Sequence, residues 1–137
     1  IVSRDWSSDV CSSDLMEVVS RARIDIESMR LMVLRAARAM DTMGNAEARV
    51  WISAVKAMVP EKVCRIIDEA TQVHGATGVS QWTPLARLYT SQRTLRLADG
   101  PDEVHHFVVA RFEAGRYGDG PGDVPMLDHT GPTFTSP

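Results

Sequence analysis

An all-α fold, an up-and-down helical bundle, is predicted by three features of this 137-residue chain. Apolar residues recur at intervals of three and four over two long stretches, the pattern of amphipathic helices. No stretch of useful length alternates apolar with polar residues, so strands are not expected. Glycine and proline cluster between the periodic stretches, with Pro60 the exception inside one of them.

Ile1 to Leu15 has no helical or strand period, and Asp5 to Leu15 is rich in serine and aspartate. That composition predicts a disordered leader. The run Asp5-Trp-Ser-Ser-Asp-Val-Cys-Ser-Ser-Asp-Leu15 also resembles the translation of a common short-read sequencing adapter. It is therefore expected to be non-native, with the natural sequence resuming at about Met16 and its true N-terminal part missing. Such segments are set aside from fold reasoning.

From Met16 to Met43 a long amphipathic helix is expected, its apolar face formed by Val18, Val19, Ala22, Ile26, Met29, Val33, Leu34, Ala37 and Met40. Gly44-Asn45 ends it, because these residues best adopt the left-handed conformation that stops a helix. A second helix is expected from Ala46 to Val73 through Trp51, Ile52, Val55, Met58, Val59, Val63, Ile66, Ile67 and Ala70, kinked at Pro60. The region of Gly75, Gly78 and Pro84 reads as a loop. A third helix is expected from Pro84 to Leu97 and a fourth from Pro101 to Ala114. Proline suits a first helical position, and Asp102 and Glu103 suit the positive end of the helix dipole. Residues 16–116 thus form one helical domain, and 117–137, poor in large apolar side chains, a flexible tail. Helices of about 28 residues span about 40 Å, long for a small free-standing domain. They suggest packing against something else.

Hydrophobic content of 44% and charged content of 24% suit a soluble globular domain with its own core. A net charge of -3 gives no reason to expect nucleic acid or an acidic membrane surface as partner. No apolar run approaches the roughly 20 residues of a membrane span, and the chain does not open like a signal peptide. The spacing of Cys11 and Cys64 does not argue for a disulfide, and Cys64 falls in a helical apolar pattern where a small buried thiol is ordinary. A reducing, cytoplasmic setting is expected.

Few residues offer chemistry by pattern alone. Asp99 stands at the end of an apolar helical run, where an aspartate ordinarily serves the helix end. Gln72, Gly75 and Gly78 read equally well as a polar helix end and a turn. His74, His105, His106 and His129 lack the spacing of a metal site, so no metal is expected. Phosphate-binding loops, dinucleotide fingerprints and nucleophile elbows do not occur. The arginines at 30, 35, 38, 87, 93 and 96 read as solvated faces and bundle-edge pairs.

Two motifs at a fixed separation carry more. Gln72-Val73-His74-Gly75-Ala76-Thr77-Gly78-Val79 resembles the Gln-x-x-Gly-Gly-x-Gly-Tyr that ends a helix in acyl-CoA dehydrogenases. Asp99-Gly100-Pro101, about twenty residues on, resembles that family's Glu-Gly-Thr before its next helix. The resemblance covers Met16 to about Tyr117. It departs at Ala76 for glycine, Val79 for tyrosine, Asp99 for glutamate and Pro101 for threonine. Leu97-Ala-Asp-Gly-Pro-Asp-Glu-Val-His105, with Gly78-Val-Ser-Gln81 and Pro84-Leu-Ala-Arg87, looks like the subgroup found in bacteria and, in animals, fused to a kinase-like domain. Asp-Gly-Pro is that subgroup's own pattern.

The resemblance implies the C-terminal helical domain of an FAD-dependent acyl-CoA dehydrogenase, without its N-terminal, middle and first helical parts. It implies Asp99 as the base that removes the substrate's α-proton, with β-hydride transfer to FAD giving a trans-2-enoyl-CoA. Because the α-proton is a weak acid, water exclusion and hydrogen bonds to the enolate oxygen are then needed. Gly100 is implied to lie against the acyl thioester. Gln72, Val73, His74, Gly75 and Ala76 are implied to approach the flavin dinucleotide of a neighbouring subunit, and Pro101, Asp102 and Glu103 to lie near the cofactor. The implied partners are an acyl-CoA substrate, electron-transferring flavoprotein as acceptor, and further copies in a homodimer or homotetramer. Met29, Met32, Met40, Met43, Trp51 and Met58 are more than a small bundle buries comfortably, which agrees with assembly. Alone, the chain is expected to be inactive. Two alternatives remain: a stand-alone helical interaction or oligomerisation module, and a nitroalkane or acyl-CoA oxidase of the same fold.

Overall fold

The computed structural model describes residues 6–117, with side chains from Asp14 onward. Among them the chain is helical and contains no strand, so the all-α expectation holds. Five helices follow in order: α1 (Trp6–Met43), α2 (Asn45–His74), α3 (Ala76–Val79), α4 (Leu85–Leu95) and α5 (Asp102–Ala114). The spine is α2. Along it pack α1 on its own and then α4 and α5, while α3 joins α2 to α4.

The turn between the two long helices is a single residue. Gly44 has φ 81, a conformation that costs an L-residue and not glycine. Its N–H donates to the Met40 carbonyl at 3.1 Å, and its own carbonyl accepts the Ala48 N–H at 3.0 Å. Both orphaned helix ends are thereby partly satisfied, and α2 folds back on α1 as the Gly44-Asn45 pair predicted.

The elements differ from expectation in several places. The backbone is already helical from Trp6, where a disordered leader to Leu15 was expected. Extending a helix orders one residue per hydrogen bond, whereas starting one orders several first, so a serine- and aspartate-rich segment continues a helix it does not nucleate. The Gly75–Pro84 loop holds one helical turn, α3. The last two helices are shorter than expected, α4 stopping at Leu95 and α5 starting after Pro101. Of the tail, everything past Tyr117 lies outside the described residues, as do 1–5.

The buried apolar residues on the two long helices are mostly small. Met29, Ala36 and Ala39 from α1 are buried, as are Ala48, Val50, Ala57, Cys64 and Ile67 from α2. Alanine supplies half of these, which lets the helix backbones approach closely. Ser53 and Pro60 complete the α2 stripe, and α2 runs on unbroken through Pro60. The apolar face expected on α1 is corrected here. Of its members only Met29 is buried, Val18 and Ala22 are half-buried, and Val19, Ile26, Val33, Leu34, Ala37 and Met40 are exposed. Helix α1 carries adjoining apolar rows, and one neighbouring helix covers only one of them.

A charge sits in the covered row. Asp25, 8% exposed, accepts hydrogen bonds from Lys62 and Arg65 of α2. The Lys62 bond first, then that of Arg65, holds its carboxyl below the usual carboxylate range. Further along, the Arg35 guanidinium lies 4.4 Å over the Trp51 ring, another polar tie between the helices.

Candidate functional site

The chain leaves α4 in a tightening turn. The N–H of Arg96 donates to Arg93 at 3.2 Å, and those of Leu97 and Ala98 both donate to Thr94 at 3.0 Å. Two residues with positive φ then redirect it, Asp99 at 57° and Gly100 at 103°. Among the described residues Asp99 is the one non-glycine with this conformation. Pro101 is extended and precedes α5, whose first turn has no side-chain cap. Asp99 therefore does not cap the helix that follows, and its side chain is exposed.

Two side chains from outside the turn grip its carbonyls. Lys56, on α2, donates from Nζ to the Leu95 carbonyl at the end of α4 and to the Gly100 carbonyl at 3.4 Å. His105, one turn into α5, places Nε2 3.3 Å from the Asp99 carbonyl, which requires its proton on Nε2. Burial holds the His105 pKa below the usual histidine value, against the opposite pull of the Asp99 carbonyl. Its Nδ1 is buried without a hydrogen-bond partner. A side chain at position 100 would press on this ring, since a Cβ there meets His105 Nε2 at 3.3 Å.

Asp102 is turned inward. It is 9% exposed, and its Oδ2 accepts from Arg96 Nε at 2.5 Å, while Oδ1 is buried and unpartnered. Its carboxylate is thus committed to Arg96 and not presented outward with exposed Pro101 and Glu103. Arg96 departs from the solvated reading given to it, because this pair is half enclosed. Beneath it, burial pushes the Cys64 thiol up, Arg96 and Arg93 opposing.

The other motif lies elsewhere. Gln72, Val73, His74, Gly75 and Ala76 are all exposed at the end of α2. Roughly 24 Å of helix separates Lys56 from Gln72. The fold thus gathers Asp99, Gly100, Pro101, Asp102 and Glu103 at one place and residues 72–76 at another. Gly75, φ 57, donates its N–H to the Gln72 carbonyl at 3.1 Å, and no atom lies within 4 Å of where its Cβ would stand. Its backbone is open to close approach. Gly78 is the opposite case, buried, with a hypothetical Cβ 2.5 Å from the Thr71 carbonyl oxygen. Only glycine lets α3 close on α2.

Lys56, His105 and Arg96 were not singled out from sequence as parts of a site. Their partners lie up to 44 residues away, and no local pattern encodes such pairing. No cluster suited to a metal occurs among the described residues. No described helix is long and apolar enough to cross a membrane. A shallow cleft of about 190 Å³, lined by Arg21, Ile24, Asp25, Arg65 and Glu69, shares no residue with either motif.

Helices stacked along one spine, with a strained carboxylate-bearing turn and an open glycine at the spine's end, make up an all-α domain. The family profile "Acyl-CoA dehydrogenase, C-terminal domain" matches residues 13–113, and the chain belongs to this family. It is 53% identical over 95 residues to "Acyl-CoA dehydrogenase family member 11" of Rattus norvegicus, an alignment covering 69% of this chain and 12% of that protein. It is 46% identical over 102 residues to "Probable acyl-CoA dehydrogenase FadE2" of Mycobacterium tuberculosis, covering 74% and 25%. A solved Mycobacterium abscessus chain assigned to the acyl-CoA dehydrogenases superposes with a TM-score of 0.73 at 46% identity, over 75% of this chain and 25% of that one. The chain therefore spans between about an eighth and a quarter of the length of these relatives.

Proposed function

We propose that this chain is part of an FAD-dependent acyl-CoA dehydrogenase in which Asp99 removes the α-proton of an acyl-CoA. The observation that carries this reading is the Asp99 backbone. Left-handed φ in a non-glycine residue costs on the order of 1 kcal/mol or more and persists where the surroundings hold it. The resulting carboxylate is exposed and serves no helix end. Such a group is free to meet a substrate. Gly100, without a Cβ, leaves room beside it for a thioester.

The residues also fit a flavin dinucleotide. The open backbone at Gly75 admits a close-lying anionic group, and Gln72, Val73, His74 and Ala76 surround it on the exposed helix end. At the other place Pro101 and Glu103 stay outward, and Asp102 contributes its backbone alone. FAD held at these residues would supply a hydride acceptor for the substrate's β-hydrogen, the chemistry that would yield a trans-2-enoyl-CoA. Asp99 is one methylene shorter than glutamate, and the left-handed turn sets where its carboxylate leaves the chain. Orienting that carboxylate on the α-proton is this chain's share of the chemistry.

An aspartate base also suits nitroalkane or acyl-CoA oxidation on the same fold, which the shorter side chain keeps as a second reading. The exposed apolar rows of α1 support assembly as a homodimer or homotetramer, and electron-transferring flavoprotein is the acceptor expected of a dehydrogenase. We further read Asp5–Leu15 as adapter-derived; sequencing the source DNA across Leu15–Met16 after adapter trimming tests that directly. For the activity, the full-length enzyme is assayed with acyl thioesters, and with nitroalkanes under oxygen, as wild type and Asp99→Asn. The expected result is thioester-dependent reduction of an artificial acceptor, lowered about a thousandfold by Asp99→Asn with FAD retained. Undiminished activity in the variant removes Asp99 from the role of base.

A further inference from the structure

The turn that carries Asp99 is not held by its own residues. Its backbone–backbone hydrogen bonds end at Ala98, and α5 begins its own at Pro101. Between them the Asp99 and Gly100 carbonyls are left to side chains from other elements. Lys56 pairs with no carboxylate among the described residues, although it is half-buried. An ammonium in that setting needs acceptors. It finds the Leu95 carbonyl, the last of α4 at the negative end of that helix, and the Gly100 carbonyl beyond the turn. His105 approaches from α5 and takes the Asp99 carbonyl.

We propose that Lys56 and His105 are positioning residues for Asp99: by holding the carbonyls of Asp99 and Gly100 from α2 and α5, they keep the Asp99 backbone left-handed and so fix the direction of its carboxylate. Lys56 does this by tying the end of α4 to the start of α5. His105 does it as the Nε2–H tautomer. Neither touches the reacting atoms. The catalytic consequence rests on the reading of Asp99 as base, whereas the clamp itself does not.

The test separates the two. In the isotope-labelled 137-residue chain, wild-type Asp99 and Gly100 are expected to show backbone order parameters of about 0.85, like the helices. His105 is expected to carry its proton on Nε2 by nitrogen chemical shift. Lys56→Met should drop the order parameters at residues 99 and 100 below about 0.6 while α1 and α2 keep their signals. Lys56→Arg, which keeps the charge, should restore them, and so should His105→Gln relative to His105→Leu. A proton on Nδ1 of wild-type His105 overturns the His105 half without any mutation. Unchanged order at 99 and 100 in Lys56→Met overturns the Lys56 half. In the full-length enzyme, Lys56→Met is expected to lower kcat about tenfold with little change in KM. If the chain shows the clamp but no acyl-CoA activity is found, the reading of Asp99 fails and the clamp stands.

Discussion

Asp99 combines a backbone conformation that disfavours most side chains with a carboxylate that serves no helix end. Aspartate tolerates left-handed φ better than most residues because its short side chain bonds locally, and here outside groups add to that tolerance. Gly78 makes a simpler case. A methyl group there would sit 2.5 Å from a backbone oxygen, which no side-chain movement relieves. Gly78→Ala is therefore expected to destabilise the domain by about 1–3 kcal/mol, measured by thermal denaturation. Gly75→Ala meets no atoms but keeps the cost of positive φ, about 1 kcal/mol. His105 adds a pH dependence. Its folded pKa lies below its unfolded one, so the unfolded chain binds the proton first. Stability is then full above the ordinary histidine pKa and declines as pH falls through the folded value. His105→Gln should flatten that part of the stability–pH curve.

The two long helices are tied by a carboxylate of α1, Asp25, that is buried against α2. Asp25 between Lys62 and Arg65 fixes which turn of α1 faces which turn of α2, because a register slip would leave a charge without partners. Its lowered pKa gives the same sign as His105 in a lower window. The contribution is complete above the ordinary aspartate range and is lost as pH falls through the folded value. Asp25→Asn should lower the melting temperature at neutral pH and remove most of the acid-induced loss seen in the wild type below about pH 4. Equal acid sensitivity in the two chains would show that other carboxylates control it. Pro60 illustrates how packing limits a local rule. It is buried on α2, and the helix continues through it.

Taken whole, the molecule is a spine with helices on it and no fully buried large side chain among the described residues. Val19, Ile26, Val33 and Met40 form an exposed row on α1, and Trp82 is 92% exposed. Such surface drives association, and the chain is expected to sediment above monomer mass in a concentration-dependent way. It is also expected to purify without FAD, as judged by absorbance near 450 nm, because its two motif sites lie far apart and each is open on one side. Stoichiometric flavin in the purified chain would contradict this. Helix type, the Gly44 turn and the two motif segments were legible in the sequence, because amphipathic period, left-handed glycine and motif spacing are local properties. Which apolar row of α1 is covered was not, since the rows of α1 adjoin and only the neighbour's position chooses between them. Nor was the grip of Lys56 and His105 on Asp99, or the inward turn of Asp102. The sequence by itself determined that the chain is helical, where the Gly44 and Asp99-Gly100 turns fall and which residues those turns carry. Tertiary structure alone decided which of those residues are held and which are left free, because contacts between distant positions depend on how α4 and α5 lie along α2.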